Sequence, residues 1–186
     1  MPHNISAIGV TEDGRFTDPD GYRIGALFKL CPWADMLRES FAEPVAASET
    51  LFLEPAWKAI LSNKAMLPLL WERNEGHPAL LPTFFEYAPE GRELARGPHV
   101  RKPFFSREGS DISLYDGNLR HRGPDEGYGA EGAIVQAYAP LARSGENHAV
   151  IGSWIVGDEA VAISIREDAS PITRDLARFL PHVIVG

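Results

Sequence analysis

An α+β fold, with a largely antiparallel sheet and flanking helices, is predicted by three features of this chain. Helical periodicity is clearest in stretches before Pro89. After Pro89 come β-branched or aromatic segments separated by turn residues. The last two long segments are joined by Gly157-Asp158-Glu159, a hairpin turn, which makes the pairing antiparallel.

The first 25 residues are rich in turns. Glu12-Asp13-Gly14 and Asp18-Pro19-Asp20-Gly21 bracket short apolar pieces, so hairpins are expected there. Ala26 to Leu30 reads as a strand. Pro32 to Phe41 reads as a short helix with Trp33, Met36, Leu37 and Phe41 on its apolar face. Leu51 to Leu53 is a brief strand. Residues 55 to 73 form the clearest helical region, broken near Ser62-Asn63, either of which suits a cap, with Pro68 tolerated in the first turn of the second piece. Residues 77 to 85 carry another short helix or turn.

Strands are then expected over Arg101 to Phe105, Asp111 to Leu114, Ala133 to Tyr138, Ala149 to Val156 and Ala160 to Ile165. The Gly-, Asp-, Glu- and Arg-rich stretch 116–132 reads as a mobile loop. Residues 170–186 read as an irregular or helical piece ending in a strand over Val183 to Val185.

With 186 residues, the chain has room for one domain or slightly more, and its 44% apolar content is enough for a core. The net charge of −8 argues against a nucleic-acid or anionic-membrane partner, but permits a local basic site selective for a small anion. Cys31 is the only cysteine, which excludes a disulfide framework and a thiolate metal cage; beside Pro32 and Trp33 it reads as buried filler. The six histidines are scattered without metal-ligand spacing, so no metal site is expected on this chain. Trp57, Trp71 and Trp154 read as core or interface residues. No 18-residue apolar run or signal-like start is found, so the expected location is the cytoplasm.

The candidate chemistry centres on Lys102-Pro103-Phe104-Phe105-Ser106-Arg107-Glu108-Gly109. A strand can fix the ammonium, while a glycine-containing loop lets backbone N–H groups and the Arg107 guanidinium close on anionic oxygens. On spacing alone the alternative is a solvated hairpin tip. Lys64, Gln136-Ala137-Tyr138-Ala139 before Pro140, and Arg166-Glu167-Asp168 follow in an order that suits a nucleotide triphosphate. In that arrangement two lysines balance phosphate charge, a loop covers the phosphates, and a strand end offers backbone groups to adenine. Glu167-Asp168 beside Arg166 reads as a solvated turn, with a magnesium contact as the alternative, and Arg120-His121-Arg122 reads as a solvated basic tip.

Five blocks resemble the C-terminal synthetase region of the glutathionylspermidine synthase family, an ATP-grasp group of carboxylate–amine ligases. They are Phe28-Lys29-Leu30-x-Pro32-Trp33, Glu54-Pro55-x-Trp57, Ser62-Asn63-Lys64-Ala65, Lys102-Pro103 through Gly109, and Ile151-Gly152-Ser153-Trp154. The resemblance runs over nearly the whole chain in order. It implies an ATP-grasp-like fold, with 1–186 as the C-terminal portion of such a domain: mixed hairpins and helices over 1–90 and a nucleotide-clamping sheet over 91–186.

By that resemblance Lys64 and Lys102 match the nucleotide-binding lysines, and Arg107 and Gly109 lie in the phosphate-covering loop. Gln136, Ala137, Tyr138 and Ala139 match the segment that meets adenine. Arg166 matches a loop arginine near the reacting phosphate, so Arg107 and Arg166 are the catalytic candidates. The implied cofactors are ATP and magnesium. The implied reaction activates a glycine-terminal peptide or similar carboxylate as an acyl phosphate, which a polyamine or other amine attacks.

Two departures qualify the resemblance. The family's magnesium ligands are expected upstream of the region matched, and the chain reads as truncated at its N-terminus, needing that upstream half or associating with itself. The family's aromatic-Pro-Trp-acid block appears here as Cys31-Pro32-Trp33-Ala34, losing an aromatic and a carboxylate. A non-catalytic remnant, holding nucleotide or a partner without a metal site, is therefore the competing expectation.

Overall fold

The computed structural model describes residues 5–40 and 42–183. The chain divides into two compact units, Met1–Asn63 and Lys64–Gly186.

In the first unit, β1 (Gly9–Val10) and β2 (Phe16–Thr17) form the expected hairpin, followed by a second turn closed by Gly21 N–H on the Asp18 carbonyl. The strand β3 (Ala26–Phe28) then lies parallel to β4 (Leu51–Leu53), with Leu27 opposite Phe52. Between them the helix expected over Pro32 to Phe41 is reduced to α1 (Trp33–Met36), and a further short helix, α2 (Ala42–Val45), lies beyond the expected span; Phe41 lies outside the described residues. Pro32 sits at the N-cap of α1 without a side-chain cap, and no long apolar stripe follows to prolong the helix.

The core of this unit is Phe16, Trp33, Met36 and Phe52. The Phe16 ring meets Phe52 edge-on at 5.6 Å, and Trp33 lies 5.3 Å from Phe52. Two blocks distant in sequence meet here: the Lys29 ammonium lies over the Trp33 ring and donates to the Cys31 carbonyl, 3.8 Å from Glu54. Trp33 Nε1 donates to the Glu54 carbonyl. Cys31 packs against this cluster as expected, whereas Trp57 is exposed. The first expected helical piece after residue 55 is a 3₁₀ turn, Ala56–Ile60.

The second unit opens with α3 (Met66–Arg73), whose N-cap is Ala65 rather than Ser62 or Asn63. The stretch predicted as a helix or turn at 77–85 becomes turns and then β5 (Thr83–Phe85). A helix follows that was not expected, α4 (Pro89–Leu94), because Pro89 occupies its first position, where the missing N–H costs nothing. Gly91 hides this helix in the sequence, yet a Cβ there would lie 2.2 Å from the Phe85 carbonyl oxygen, so the glycine permits α4 to pack on β5.

The strands β6 (His99–Pro103), β7 (Ser113–Asp116), β8 (Asn118–Arg122) and β9 (Ala133–Ala137) join β5 in one sheet ordered β5-β9-β6-β7-β8, antiparallel throughout. A second antiparallel sheet is ordered β10-β11-β12-β13, from β10 (Ala142–Ser144), β11 (Asn147–Val156), β12 (Glu159–Asp168) and β13 (Arg178–Leu180).

Three expectations change here. The stretch 116–132 is no free loop: it contains β8, and the Asp111 carboxylate accepts from the Glu126 and Tyr128 N–H groups. Arg166-Glu167-Asp168 belongs to the end of β12, with Arg166 opposite Val150 and Phe179, rather than to a loop. The expected strand over Val183 to Val185 is not formed at Val183; its other two residues lie outside the described residues. No helix of the described residues is long and apolar enough to cross a membrane.

Candidate functional site

The neighbouring strands β6 and β9 set the site. Lys102 pairs with Ile134, and Val100 with Gln136, so Lys102 and Gln136 are diagonal neighbours on one sheet face. Lys102 Nζ donates to Gln136 Oε1 at 2.6 Å. Gln136 Nε2 donates to Thr83 Oγ1 at 2.8 Å, across the β5–β9 pair in which the two residues are directly opposed.

Lys64 reaches the same place from the start of α3. Its backbone N–H donates to the Phe104 carbonyl at 3.0 Å, docking it on the segment leaving β6. Its ammonium donates to the Ser106 carbonyl and, at 3.2 Å, to the Ser106 hydroxyl. Burial lowers the Lys64 pKa to about 8, with repulsion from Lys102 and Arg107 adding to it. Burial also lowers that of Lys102. None of the ion pairs among the described residues involves Lys64, Lys102 or Arg107.

Three cations gathered without a carboxylate repel one another, and burial adds to that penalty. Such a cluster is suited to receiving an anion.

The loop 104–112 is tucked in rather than standing off as a cover. Ser106, Gly109 and Ser110 are buried. Gly109 has φ of 79°, and a Cβ there would lie 2.8 Å from the Thr173 carbonyl oxygen; one on Gly123 would lie 1.8 Å from the Gly109 carbonyl oxygen. The loop thus rests between the 172–173 turn and the chain leaving β8. Arg166 reaches it through Glu108 at 3.8 Å and lies 5.9 Å from the Phe179 ring.

The predicted residues therefore separate into two sets. Lys64, Lys102, Arg107 and the Gln136 side chain come together, and Arg166 and Gly109 flank them through the loop. Ala137 and Tyr138 continue β9, but their N–H groups are bound to the Pro82 and Pro98 carbonyls at 2.8 and 3.4 Å. Ala139 is exposed just beyond.

Sequence reasoning missed Thr83 and the hydroxyl of Ser106 as partners. Ser106 stood inside a motif already singled out; Thr83 lay in a stretch read as helix or turn.

Glu167 and Asp168 form no solvated turn. Asp168 is buried and accepts from Arg174 Nη2 at 2.6 Å and Nε at 3.0 Å, and from the Ser170 and Arg174 N–H groups. These bonds, the Arg174 side chain first, hold its pKa far below the usual carboxylate range. Glu167 accepts from Arg178 at 2.5 Å. Both carboxylates are engaged, and no group of three His, Cys, Asp or Glu side chains that could hold a metal exists among the described residues. Neither Glu167 nor Asp168 is therefore open to a magnesium ion in this structure. A cleft of about 570 Å³ in the first unit, lined by Val10, Glu12, Glu43 and Pro44 among others, holds none of the candidate residues.

A family model described as glutathionylspermidine synthase preATP-grasp matches residues 2–185. The chain belongs to the glutathionylspermidine synthase family. Its largely antiparallel α+β architecture accords with the ATP-grasp-like fold expected of that family.

The chain is 36% identical to a putative acid–amine ligase of Haemophilus influenzae over 181 residues, covering 94% of this chain and 46% of that protein. It is 29% identical to trypanothione synthetase of Crithidia fasciculata over 185 residues, 87% of this chain and 28% of that protein. Against the bifunctional glutathionylspermidine synthetase/amidase of Escherichia coli it is 25% identical over 205 residues, 97% of this chain and 33% of that protein. The chain thus spans less than half the length of these relatives.

Proposed function

We propose that this chain forms the phosphate-binding cradle of an ATP-dependent carboxylate–amine ligase, as the C-terminal portion of a glutathionylspermidine synthase-like domain. The observation that carries the reading is the group Lys64, Lys102 and Arg107, half-buried and without a carboxylate partner among the described residues. The relatives' names, which describe ligases and synthetases, support the reaction class.

Lys64 and Lys102 would hold phosphate oxygens, with Arg107 and the Ser106 hydroxyl beside them; the bound nucleotide would supply the phosphoryl group that activates a carboxylate. Arg166, held at the loop through Glu108, is the further cation for charge that develops during transfer. Adenine would meet the groups left open where β9 ends, the Tyr138 carbonyl and the Ala139 N–H among them, because the Ala137 and Tyr138 N–H groups are already bound. A glycine-terminal peptide or similar carboxylate and a polyamine or other amine complete the reaction, with the amine attacking an acyl phosphate to give an amide. No step is assigned to magnesium on this chain.

A second reading, nucleotide binding without catalysis, is favoured by the commitment of Asp168 and Glu167 to arginines. Calorimetry with a non-hydrolysable ATP analogue tests what both readings share. Binding should be lost when Lys64 and Lys102 are both changed to alanine; binding unaffected by that change overturns the cradle. Amide formation from ATP, a peptide and a polyamine then separates the two readings.

A further inference from the structure

Thr83 has no part in the scheme above, yet it is only 1% exposed on the edge strand β5, and its hydroxyl is fully committed. It donates to the Leu81 carbonyl at 2.8 Å and accepts from Gln136 Nε2 at 2.8 Å. The direction of this chain is fixed by chemistry. A lysine ammonium only donates, so Gln136 must turn its oxygen to Lys102 and its NH₂ toward Thr83. The Thr83 proton is taken by Leu81, which leaves a lone pair facing that NH₂.

Each bond in the series Lys102, Gln136, Thr83, Leu81 donates the same way, so each polarises the next. Lys102 is thereby held by a neutral partner at 2.6 Å. A carboxylate at position 136 would hold it as firmly but cancel its charge. Gln136 keeps the charge available, with two ammonium protons left to point at a ligand.

We propose that Thr83, acting through Gln136, is a positioning residue that fixes the Lys102 ammonium while leaving its charge uncompensated. The effect on affinity rests on the phosphate-cradle reading; the relay itself is a property of the free protein.

The test combines NMR titration of the Lys102 side chain in ¹³C-lysine-labelled protein with calorimetry of the non-hydrolysable ATP analogue. Removing the hydroxyl in T83V should lower the Lys102 titration midpoint and weaken binding about three- to tenfold, and T83S should restore both. A folded T83V with an unchanged midpoint overturns the relay. If T83V does not fold, T83A is measured in its place: it removes the same hydroxyl, and an unchanged midpoint there overturns the relay in the same way. A midpoint that moves in T83V while the analogue fails to bind even the unaltered protein upholds the relay and removes the cradle reading instead.

Discussion

Lys64 differs from most lysines in sitting where its charge is poorly solvated and repelled by two neighbours. Its folded pKa of about 8 lies below that of an unfolded lysine. Between those values the unfolded chain binds the proton and the folded one does not, so this group's contribution to stability rises with pH across that window and is lost as pH falls through it. Anion binding has the opposite dependence, because it needs the ammonium. Affinity for the ATP analogue, measured by calorimetry between pH 7 and 9.5, should fall as pH rises through about 8. In K64R, whose guanidinium stays charged, the fall should be shallower, with only Lys102 of the two lysines left to titrate. Part of this was legible in the sequence: the order of Lys64, Lys102 and Arg107 anticipated which side chains would be gathered. The bond between the Gln136 side chain and Lys102 was not, because only the β6–β9 register shows it.

Among the elements, the turn between β12 and β13 carries more structure than its sequence suggests. Asp168 closes it by accepting from Arg174 and from two backbone N–H groups, and Ser170 Oγ accepts from the Ile172 N–H. Gly109 lies against this turn, so the clasp also supports the loop beside the cations. D168N keeps the shape but removes the charge, and should cost roughly 2 kcal/mol in denaturant unfolding near neutral pH. Because the folded pKa is depressed, the clasp stabilises above the unfolded value of 3.8 and weakens as pH falls below it. The difference between the two proteins should therefore begin to shrink below about pH 4 and keep shrinking as pH falls further. G109A adds a Cβ in a left-handed backbone against Thr173. It should cost about 1–2 kcal/mol and weaken anion binding without changing the Lys64 pH dependence.

The long strands were readable because β-branched residues recur between clear turns, and their pairing followed from Gly157-Asp158-Glu159. The helix α4 was not, since Pro89 and Gly91 both read as breakers until their places at the helix start and against Phe85 are known. The clasp was missed for a related reason: an acidic pair ending a strand looks solvated unless its arginine partners, 6 and 11 residues on, are brought back to it.

At the scale of the molecule, each unit carries apolar surface that its own folding does not cover. In the first, β3 and β4 form a two-stranded parallel pair, an arrangement normally buried within larger sheets. Phe28, opposite Leu53, is 71% exposed, and Leu30 just beyond is 88% exposed. In the second, the β11–β12 hairpin exposes Ile151 on one face and Trp154, which is 62% exposed, on the other, and Val161 nearer the turn. The exposure on the hairpin is not legible in the sequence, because alternating apolar residues look the same whether a partner covers them or not. Patches of this kind mark association surfaces. The chain should therefore self-associate as its concentration rises, shown in sedimentation velocity by a weight-average coefficient that increases between micromolar and hundred-micromolar protein. Replacing Ile151 and Trp154 with threonine should reduce that increase, and adding F28S should reduce it further, while the binding of the ATP analogue stays unchanged. A single monomeric species across the whole range would show that these faces are tolerated in water and need no cover.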